Sequence, residues 1–586
     1  MEDKEIKKIL WINGLKNSVE FGGTPNKKAV MGKLMAERKD LRSQTKTIIP
    51  LLDQILEEIK SLNLEEQKKR LMELDPEALE KKEIKEESKE LPPLPEVDNY
   101  EKIVMRLAPY PSGALHIGNA RGFILNDEYA KRYNGELILF YDDTIGSLLT
   151  LRESPKAKYV LPEAYDLIKE GLEWLDVKFS KIMYKSDRIL TYYDYCVKLI
   201  QDRMAYVCFC SANDFREKYK KLGKNCPHRD HTIEKNMHEW ELMLKGNYRE
   251  GEAVVRLKTG MDQKDPALRD QIIMRISEAT HPRVGNKYKI WPLLEFSMAI
   301  DDHLIKASHI IRGIDLVKEG IIEEFIWDHF GWKKAKLLYY GRIKFPIMKL
   351  SKTGARNKIQ DGEYKGWEDP RTWSLQSLKK RGIKPEALRE TLLDLGMSQT
   401  GITFSVNWLY SKNQDIIDEI SDRYFFVEKP ISLIVKKVTS DEYLAEPLLN
   451  PSKPERGKRK ITCLVKNDQL NLLISSRDAK ELEKGAIIRL KDLMNINIED
   501  IDLKNQIISS SFQSKELNRN YPIIHWVPEE QNIKVSILNP DGSITSGFGE
   551  INLLQIPLNK TIQFERFGFV NPTEQKANHL YCYFTH

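Results

Sequence analysis

The sequence predicts an α/β protein whose parallel sheet is preceded by a helical region and followed by a β-rich region. Apolar residues recur at helical spacing in the first hundred positions, as in ILWINGLKNSV and IIPLLDQILEEIKSLNL. From Glu101, a buried strand, a glycine-bearing turn, a helix and a second strand follow one another. From about Lys429, short β-rich runs such as ISLIVKKV and KITCLV alternate with turn residues, which is typical of β-barrels or sandwiches.

The composition is that of a globular protein, with 586 residues of which 41% are apolar and 31% charged. No run approaches the ~20 apolar residues that a membrane span needs, and the start MEDKEIKKIL is too charged for a signal peptide. Six cysteines in so long a chain do not form a disulfide framework, and three of them cluster, which favours metal binding in a reducing compartment. We therefore expect a cytoplasmic protein that does not contact a membrane.

The charge is unevenly distributed along the chain. The formal net charge is +6, and because the first hundred residues carry 19 basic and 21 acidic side chains, the rest carry +8. A modest positive excess of this kind suits a polyanionic ligand without requiring one. The proline-rich stretch LPPLPEVDNY separates the two parts and is predicted to be a linker.

Two short motifs carry the clearest chemical signal. HIGN, residues 116–119, lies where a strand passes through a glycine turn into a helix, a place that favours phosphate binding. KLSKT, residues 349–353, puts two lysines around a serine, and such ammonium groups can follow the charge that develops on a transferring phosphate. Alone, the first is commonly a helix start and the second a solvated loop.

Together, the two motifs resemble the HIGH and KMSKS signatures of class I aminoacyl-tRNA synthetases. The block RLAPYPSGALHIGNARGFILNDEYAKRYNGELILFYDDT resembles the glutamyl and glutaminyl subclass, as do FSMAIDDHL, HIIRG and GWEDPRTWSL. The C-terminal HWVP and QFERFGF resemble its archaeal and eukaryotic branch. The resemblance runs from about Glu101 to the last residue and narrows to the archaeal-type glutamyl enzymes.

The residue patterns and the resemblance together predict six segments. They are a helical N-terminal appendage (1–98), the first half of a Rossmann-type catalytic domain (99–205), an irregular acceptor-end insertion with a zinc knuckle (206–290), the second catalytic half with the KLSKT loop (291–375), a helical connector (376–428), and a β-barrel anticodon-binding region (429–586). SLKKRGIKPEALRETLLDLG and DIIDEISDRYFF in and around the connector are predicted to be helical. The N-terminal appendage is a candidate surface for a protein partner.

The resemblance also implies the site residues. His116, Lys349 and Lys352 would act on the phosphates of ATP, which Mg²⁺ should accompany. Arg106 would pair with a carboxylate of the amino acid and Asp142 with its α-ammonium group. The remaining implied contacts are Ser112, Gly113, Gly118, Asn119 and Ser351 with ATP, and Ala108 with glutamate.

Arg312, in HIIRG, distinguishes glutamate from glutamine within the subclass. Glutamyl enzymes carry arginine here to neutralise the γ-carboxylate, whereas glutaminyl enzymes carry an uncharged residue. A glutamine amide would leave the guanidinium unpaired, so the arginine favours glutamate. The alternative is a surface arginine at a helix end.

Asn119 replaces the second histidine of the HIGH signature, at a position where glutamyl enzymes vary, and three other positions depart from the pattern of the subclass. Phe140 and Ile145 stand where arginine and aspartate are usual, and Tyr110 stands where archaeal members often have asparagine. An aromatic residue on a strand is most often part of the core, and that is the simplest interpretation of Phe140.

A cysteine and histidine cluster lies within the predicted insertion. Cys208 and Cys210 are followed by Cys226 and His228, and two such short pairs can close a tetrahedral site around one structural Zn²⁺. His231 is an alternative fourth ligand, and free cysteines in a small core are the alternative to metal binding. We expect zinc because the segment otherwise offers little core.

The resulting prediction is a glutamate–tRNA ligase with tRNA(Glu), glutamate and ATP as its partners. The archaeal branch often charges tRNA(Gln) as well, so that activity stays open. A glutaminyl-tRNA synthetase is the first alternative, disfavoured by Arg312. A non-catalytic tRNA-binding paralogue is the second, disfavoured by the intact histidine and lysines of the two motifs.

Overall fold

The structure is a computed structural model, and it describes residues 2–20, 25–38, 41, 45–75, 90–154, 157–346 and 350–586. The chain divides into two compact units, residues 1–89 and 90–586. No helix of the described residues is long and apolar enough to cross a membrane.

The first unit is helical where it is described, which confirms the secondary structure predicted there. Leu10, Leu15, Leu34, Leu52 and Ile55 are fully buried and belong to one hydrophobic core shared by its helices. The four helices are Glu2–Glu20, Lys27–Glu37, Thr45–Lys60 and Leu64–Leu74.

The second unit begins with the predicted strand–turn–helix–strand unit. Strands Val104–Leu107, Glu136–Tyr141 and Lys181–Tyr184 form a parallel sheet, and helix Ile117–Arg132 connects the first two. Strands His309–Gly313 and Lys336–Tyr340 form a second parallel pair beside Val104, whose carbonyl accepts a hydrogen bond from the Ser308 N–H at 2.9 Å. The parallel strands therefore end at one edge, which is where such folds bind ligands.

The prediction of an irregular, core-poor insertion is wrong. Four strands of three to five residues form an antiparallel sheet. Trp240 and Met243 of helix Ile233–Lys245 are buried in the same hydrophobic core as residues of this sheet. The strands escaped prediction because charged residues such as Arg256 interrupt their short apolar runs. They are Ala205–Cys208, Val254–Leu257, Ile272–Ile276 and Ile290–Pro292.

The helix predicted over DIIDEISDRYFF is also only partly present. Helix Val406–Ile417 ends before this segment does, and Arg423–Tyr424 and Phe426–Glu428 are strands. Phe425 and Phe426 are buried in the cores of the C-terminal sheets, and that packing outweighs the helical pattern.

The β-rich character of the last part is confirmed. Two strongly mixed sheets of seven strands each occupy it, with separate hydrophobic cores. In spatial order they are Arg423–Tyr424, Ile562–Phe564, Gly568–Lys576, His579–Phe584, Asn532–Leu538, Ile544–Glu550 and Phe426–Glu428, and then Ile523–Ile524, Ile487–Leu490, Met494–Asp502, Ile507–Ser514, Pro430–Lys436, Gln469–Ser475 and Val527–Pro528.

The end of the chain folds back onto the connector helices. Arg381, fully buried, donates hydrogen bonds to the backbone carbonyls of Phe584 and Thr585 at 3.1 and 2.9 Å, and the ring of His586 stacks on that of Tyr410. The other α-helices described in this unit are Leu148–Glu153, Ala164–Trp174, Ile189–Gln201, Ala212–Asp214, Leu294–Leu304, Val317–Phe330, Lys352–Gln360, Leu375–Lys380, Pro385–Leu393 and Ser476–Glu481, and the other strands are Ile343–Lys344, Ile402–Thr403, Glu442–Ala445 and Ile461–Leu464.

Candidate active site

A cavity of about 990 Å³ lies at the carboxyl-terminal edge of the parallel strands. Its wall includes the ends of strands Val104–Leu107 and His309–Gly313 and the start of helix Ile117–Arg132. Most of the predicted site residues meet there: Arg106, Ala108, Ser112, His116, Gly118, Asn119, Asp142, Arg312, Ser351 and Lys352.

His116 is the first residue before the helix and lines the cavity. Burial and the nearby charge of Lys352 lower its pKa to about 3, so its imidazole is neutral at physiological pH. Its Nδ1 atom is buried and has no hydrogen-bond partner among the described residues. The Asn119 side chain accepts a hydrogen bond from the His116 backbone N–H at 3.3 Å, so this asparagine caps the helix.

Gly113 is the one described residue of the predicted set that is absent from the cavity wall. Its φ of +142° is open to glycine, and a Cβ atom there would overlap the indole ring of Trp367. The backbone near Trp367 also holds the turn, because the Trp373 carbonyl accepts from the Ile117 N–H at 3.1 Å. The GWEDPRTWSL block therefore packs against the turn that precedes helix Ile117–Arg132 and supports it.

Residues 350–352 line the same cavity as His116. Ser351 caps helix Lys352–Gln360 by accepting from the Gly354 N–H at 3.0 Å, and Gly118 leaves room for Leu350. Burial, together with the charge of Lys158, lowers the pKa of Lys352 to about 7. Lys349 lies outside the described residues.

Lys158, which the sequence did not single out, also lines the cavity. Neighbouring Tyr159 stacks on Arg356 at 4.0 Å and accepts a hydrogen bond from Gln360 at 2.9 Å. These contacts attach the Lys158 segment to the helix that begins at Lys352. Two cations on one side of a cavity form a site for an anion.

Arg106 reaches the cavity as half of a buried ion pair. Its Nε and Nη2 atoms donate to the two carboxylate oxygens of Asp302 at 2.6 and 2.9 Å. Its Nη1 atom is not used in that pair, so the guanidinium keeps donors for a ligand.

Arg312 is paired in the same way with Glu323. Its Nη1 and Nη2 atoms donate to Glu323 at 2.8 and 2.9 Å, and both side chains are buried. Burial opposes the charged form of Arg312, but the Glu323 carboxylate outweighs it and raises the pKa of the guanidinium. Arg312 lies on a strand, so the alternative of a surface arginine at a helix end is wrong.

Asp142 completes a third pair. The Nζ of Lys185, which is fully buried, lies 3.0 Å from an Asp142 oxygen and donates to Ser297 at 2.6 Å. The next residue, Asp143, accepts hydrogen bonds from Tyr165 at 2.9 Å and from the Ser186 hydroxyl at 2.7 Å. The partners Asp302, Glu323 and Lys185 were not predicted, because only the fold brings them to the cavity.

The three departures from the subclass pattern have separate locations. Phe140 is fully buried in a small core with Val104 and Ile138, so it is a core residue as the sequence indicated. Ile145 is buried in the core that the insertion shares. Tyr110 lines the cavity.

The predicted metal ligands also come together. One ligand atom each from Cys208, Cys210, Cys226 and His228 lies within 4.8 Å of all the others. The Sγ atoms of Cys208 and Cys226 are 3.9 Å apart, and Cys210 Sγ is 3.5 Å from His228 Nδ1. His231, the alternative ligand, is outside this group.

Comparison with known families agrees with this geometry. The family described as tRNA synthetases class I (E and Q), catalytic domain, matches residues 102–419, and the anticodon-binding domain families of the same group match residues 421–514 and 523–572. The chain belongs to the class I tRNA synthetases of the E and Q group.

Relatives match the chain over its whole length. The glutamate–tRNA ligase of Pyrococcus furiosus is 40% identical over 99% of this chain and 100% of its own length. That of Thermococcus kodakarensis is 40% identical over 100% of both. Among solved structures, the glutamate–tRNA synthetase of Elizabethkingia anophelis aligns with a TM-score of 0.38 and 20% identity, over 55% of this chain and 72% of that one.

Proposed function

We propose that this chain is a glutamate–tRNA ligase that forms glutamyl-adenylate from glutamate and ATP and then charges tRNA(Glu). One observation carries the proposal: a single cavity holds the HIGN turn, Lys352, and the two arginines Arg106 and Arg312. Full-length relatives with the name glutamate–tRNA ligase support the choice of amino acid.

Activation needs positioning and charge rather than a protein nucleophile. An oxygen of the glutamate α-carboxylate attacks the α-phosphorus, the bond to the bridging oxygen breaks, and pyrophosphate leaves. The ribose hydroxyl of the terminal nucleotide then attacks the carbonyl carbon, and AMP leaves with the electron pair. Lys352, when protonated, compensates the negative charge on the leaving pyrophosphate. Neutral His116 donates a hydrogen bond to the phosphates through its ring N–H.

The amino acid would occupy the part of the cavity that is lined by Arg106 and Arg312. The free Nη1 of Arg106 is available to one carboxylate, and Arg312 to the γ-carboxylate. Asp142 would hold the α-ammonium group, sharing its charge with Lys185. Ala108, on the same wall, lies between Arg106 and Tyr110 in the chain and packs against the bound amino acid.

The nucleotide would occupy the lysine end. Ser112, Gly118, Asn119 and Ser351 line this part of the cavity, and Gly113 shapes the turn from outside it. We place Lys349 here from the motif alone. Mg²⁺, when bound with ATP, neutralises phosphate charge, and the phosphate oxygens are its main ligands.

The cysteine and histidine cluster fits one structural zinc ion. A tetrahedron built from Zn–S bonds of about 2.3 Å has edges of about 3.8 Å, and the Cys208–Cys226 sulfur distance is 3.9 Å. With four protein ligands the ion would have no open position, so its role would be to join the start of the insertion to the turn at His228.

The C-terminal sheets would read the anticodon, and the insertion would contact the acceptor end. Unstacked bases are recognised by stacking and by their edges, and the matched anticodon-binding families cover these sheets. The specific claim for tRNA(Glu), any charging of tRNA(Gln), and a protein partner for the N-terminal unit belong to this proposal.

Glutamate-dependent ATP–pyrophosphate exchange, measured with and without tRNA, tests the proposal on the full chain. Exchange with glutamate and none with glutamine supports it. Exchange that depends on glutamine would instead favour a glutaminyl enzyme, and charging of neither tRNA would favour a non-catalytic paralogue. A matched pair of variants, Lys352→Ala and the exposed Lys358→Ala on the same helix, separates loss of the site from loss of surface charge.

A further inference from the structure

Glu323 is buried outside the cavity wall and forms an ion pair with Arg312, which lines that wall. It lies on helix Val317–Phe330, and its side chain has no exposed surface. Its two oxygens each accept one hydrogen bond from Arg312, at 2.8 and 2.9 Å. A two-point pair of this kind fixes the plane of a guanidinium as well as its position.

The same helix is shaped to accommodate the guanidinium. Gly320 lies one turn before Glu323, and a Cβ atom there would come within 2.8 Å of Arg312 Nη2 and would overlap the Tyr339 hydroxyl. A side chain at position 320 would therefore displace Arg312. This glycine is independent evidence that the helix holds the arginine in one place.

The pair leaves a defined set of donors unused. Glu323 takes one hydrogen from each Nη atom of Arg312, and Tyr339 forms a further side-chain hydrogen bond with the guanidinium. The Nε atom is buried without a partner among the described residues. A buried donor without an acceptor is costly.

The charges of the two pairs depend on one another. Glu323 stabilises the charged form of Arg106, while Arg312 opposes it. Asp302 and Glu323 together balance both guanidiniums, so two like charges can share one wall of the cavity before any ligand is present. Without Glu323, Arg312 would be free to move away from Arg106.

We propose that Glu323 is a specificity-determining positioning residue that locks the guanidinium of Arg312 in the orientation that accepts a γ-carboxylate and rejects a γ-amide. The inference rests on the proposed function. A fixed guanidinium presents only N–H donors, so a glutamine –NH₂ group meets donors with no acceptor. An arginine that can turn away binds the γ-carboxylate of glutamate more weakly and no longer disfavours the γ-amide of glutamine.

The test compares Glu323→Gln, Glu323→Asp and Arg312→Gln in the full-length protein, in the presence of tRNA. For Glu323→Gln we expect the KM for glutamate to rise about tenfold, the size of one lost charge-assisted hydrogen bond. The KM for ATP and kcat should stay within about twofold of the values for the unmodified protein. The ratio of kcat/KM for glutamate to kcat/KM for glutamine should fall about tenfold. Glu323→Asp, which keeps the charge, should recover part of the loss.

Two controls separate this proposal from a general structural role. Glu324→Gln changes the half-buried neighbour on the same helix and should leave all constants unchanged. Because Glu323 acts through Arg312, adding Glu323→Gln to Arg312→Gln should cause no further rise in the KM for glutamate. The double variant also removes both members of the pair, so it leaves no unpaired buried charge.

The outcomes distinguish failure of the positioning role of Glu323 from failure of the proposed function. If Arg312→Gln raises the KM for glutamate and Glu323→Gln does not, the positioning role is wrong and the proposed function stands. If Glu323→Gln raises the KM for ATP as much as that for glutamate, Glu323 is only a structural residue. If neither substitution affects glutamate, the location proposed for the amino acid is wrong.

Discussion

Replacing Lys352 by arginine should change how the activity depends on pH. The lysine has a pKa of about 7 in the ligand-free protein because it is buried near Lys158. This value is below that of an ordinary lysine, so Lys352 loses its proton as the pH rises through 7. Its compensation of phosphate charge requires the protonated form, so activity should fall on the alkaline side.

The magnitude follows from this pKa. With a pKa of about 7, about nine tenths of the lysine is charged at pH 6 and about one tenth at pH 8. The kcat/KM for ATP reports ionisations of the free enzyme and free substrate, so it should fall about tenfold per pH unit above neutrality. Arginine stays charged over this range, so Lys352→Arg should be slower at pH 6 but should lack the decline.

The assay is ATP–pyrophosphate exchange between pH 6 and 9 with tRNA present. Ionisation of ATP affects both proteins equally, so the difference between the two profiles isolates Lys352. Lys358→Arg, on the exposed side of the same helix and paired with Glu363, is the matched control. A decline of equal size in Lys352→Arg, or no decline in the unmodified protein, would refute the reasoning.

Three further predictions concern other parts of the molecule. Cys226→Ser should lower the zinc content from about one ion per chain to well below one, because a structural site needs four ligands; metal analysis checks this, and the buried Cys463→Ser serves as control. Gly113→Ala should destabilise the protein by about 2–5 kcal/mol, from a strained φ and an overlap with Trp367, whereas Gly32→Ala, with open space around it, should not; thermal unfolding measures both. Anticodon substitutions in tRNA(Glu) should reduce charging without reducing exchange supported by the unmodified tRNA, and charging should weaken as salt rises; equal charging of all anticodon variants would contradict the role proposed for the C-terminal sheets.

Much of the fold follows from local patterns in the sequence. The strand at Val104, the turn at His116 and the strand at Glu136 are each set by residues within a few positions of one another, and the structure confirms all three. The insertion was mistaken for irregular structure because Arg256 and Arg275 interrupt its apolar runs. Their strands form because neighbouring strands pair with them, which no short window of sequence reveals.

The sequence predicted many of the residues that line the cavity but not the residues that pair with them. The motifs and the resemblance pointed to Arg106, Arg312 and Asp142, and the structure brings them to one cavity. Of their partners, Asp302 lies in the quoted block FSMAIDDHL, but that block does not show which residue it pairs with, and Glu323 and Lys185 have no such signal. Asp302 is 196 positions from Arg106 in the sequence, and Glu323 is one of two adjacent glutamates on a helix. Which of two neighbouring carboxylates turns inward depends on packing, which the sequence does not display.

The buried Arg381 has a consequence for the order of folding. Besides the Tyr410 hydroxyl, its acceptors are the carbonyls of Phe584 and Thr585, some two hundred residues later. Contacts so distant along the chain form late, because a long loop must close before they yield any stabilisation. During synthesis, the guanidinium of Arg381 therefore lacks these two carbonyl partners until strand His579–Phe584 has emerged from the ribosome.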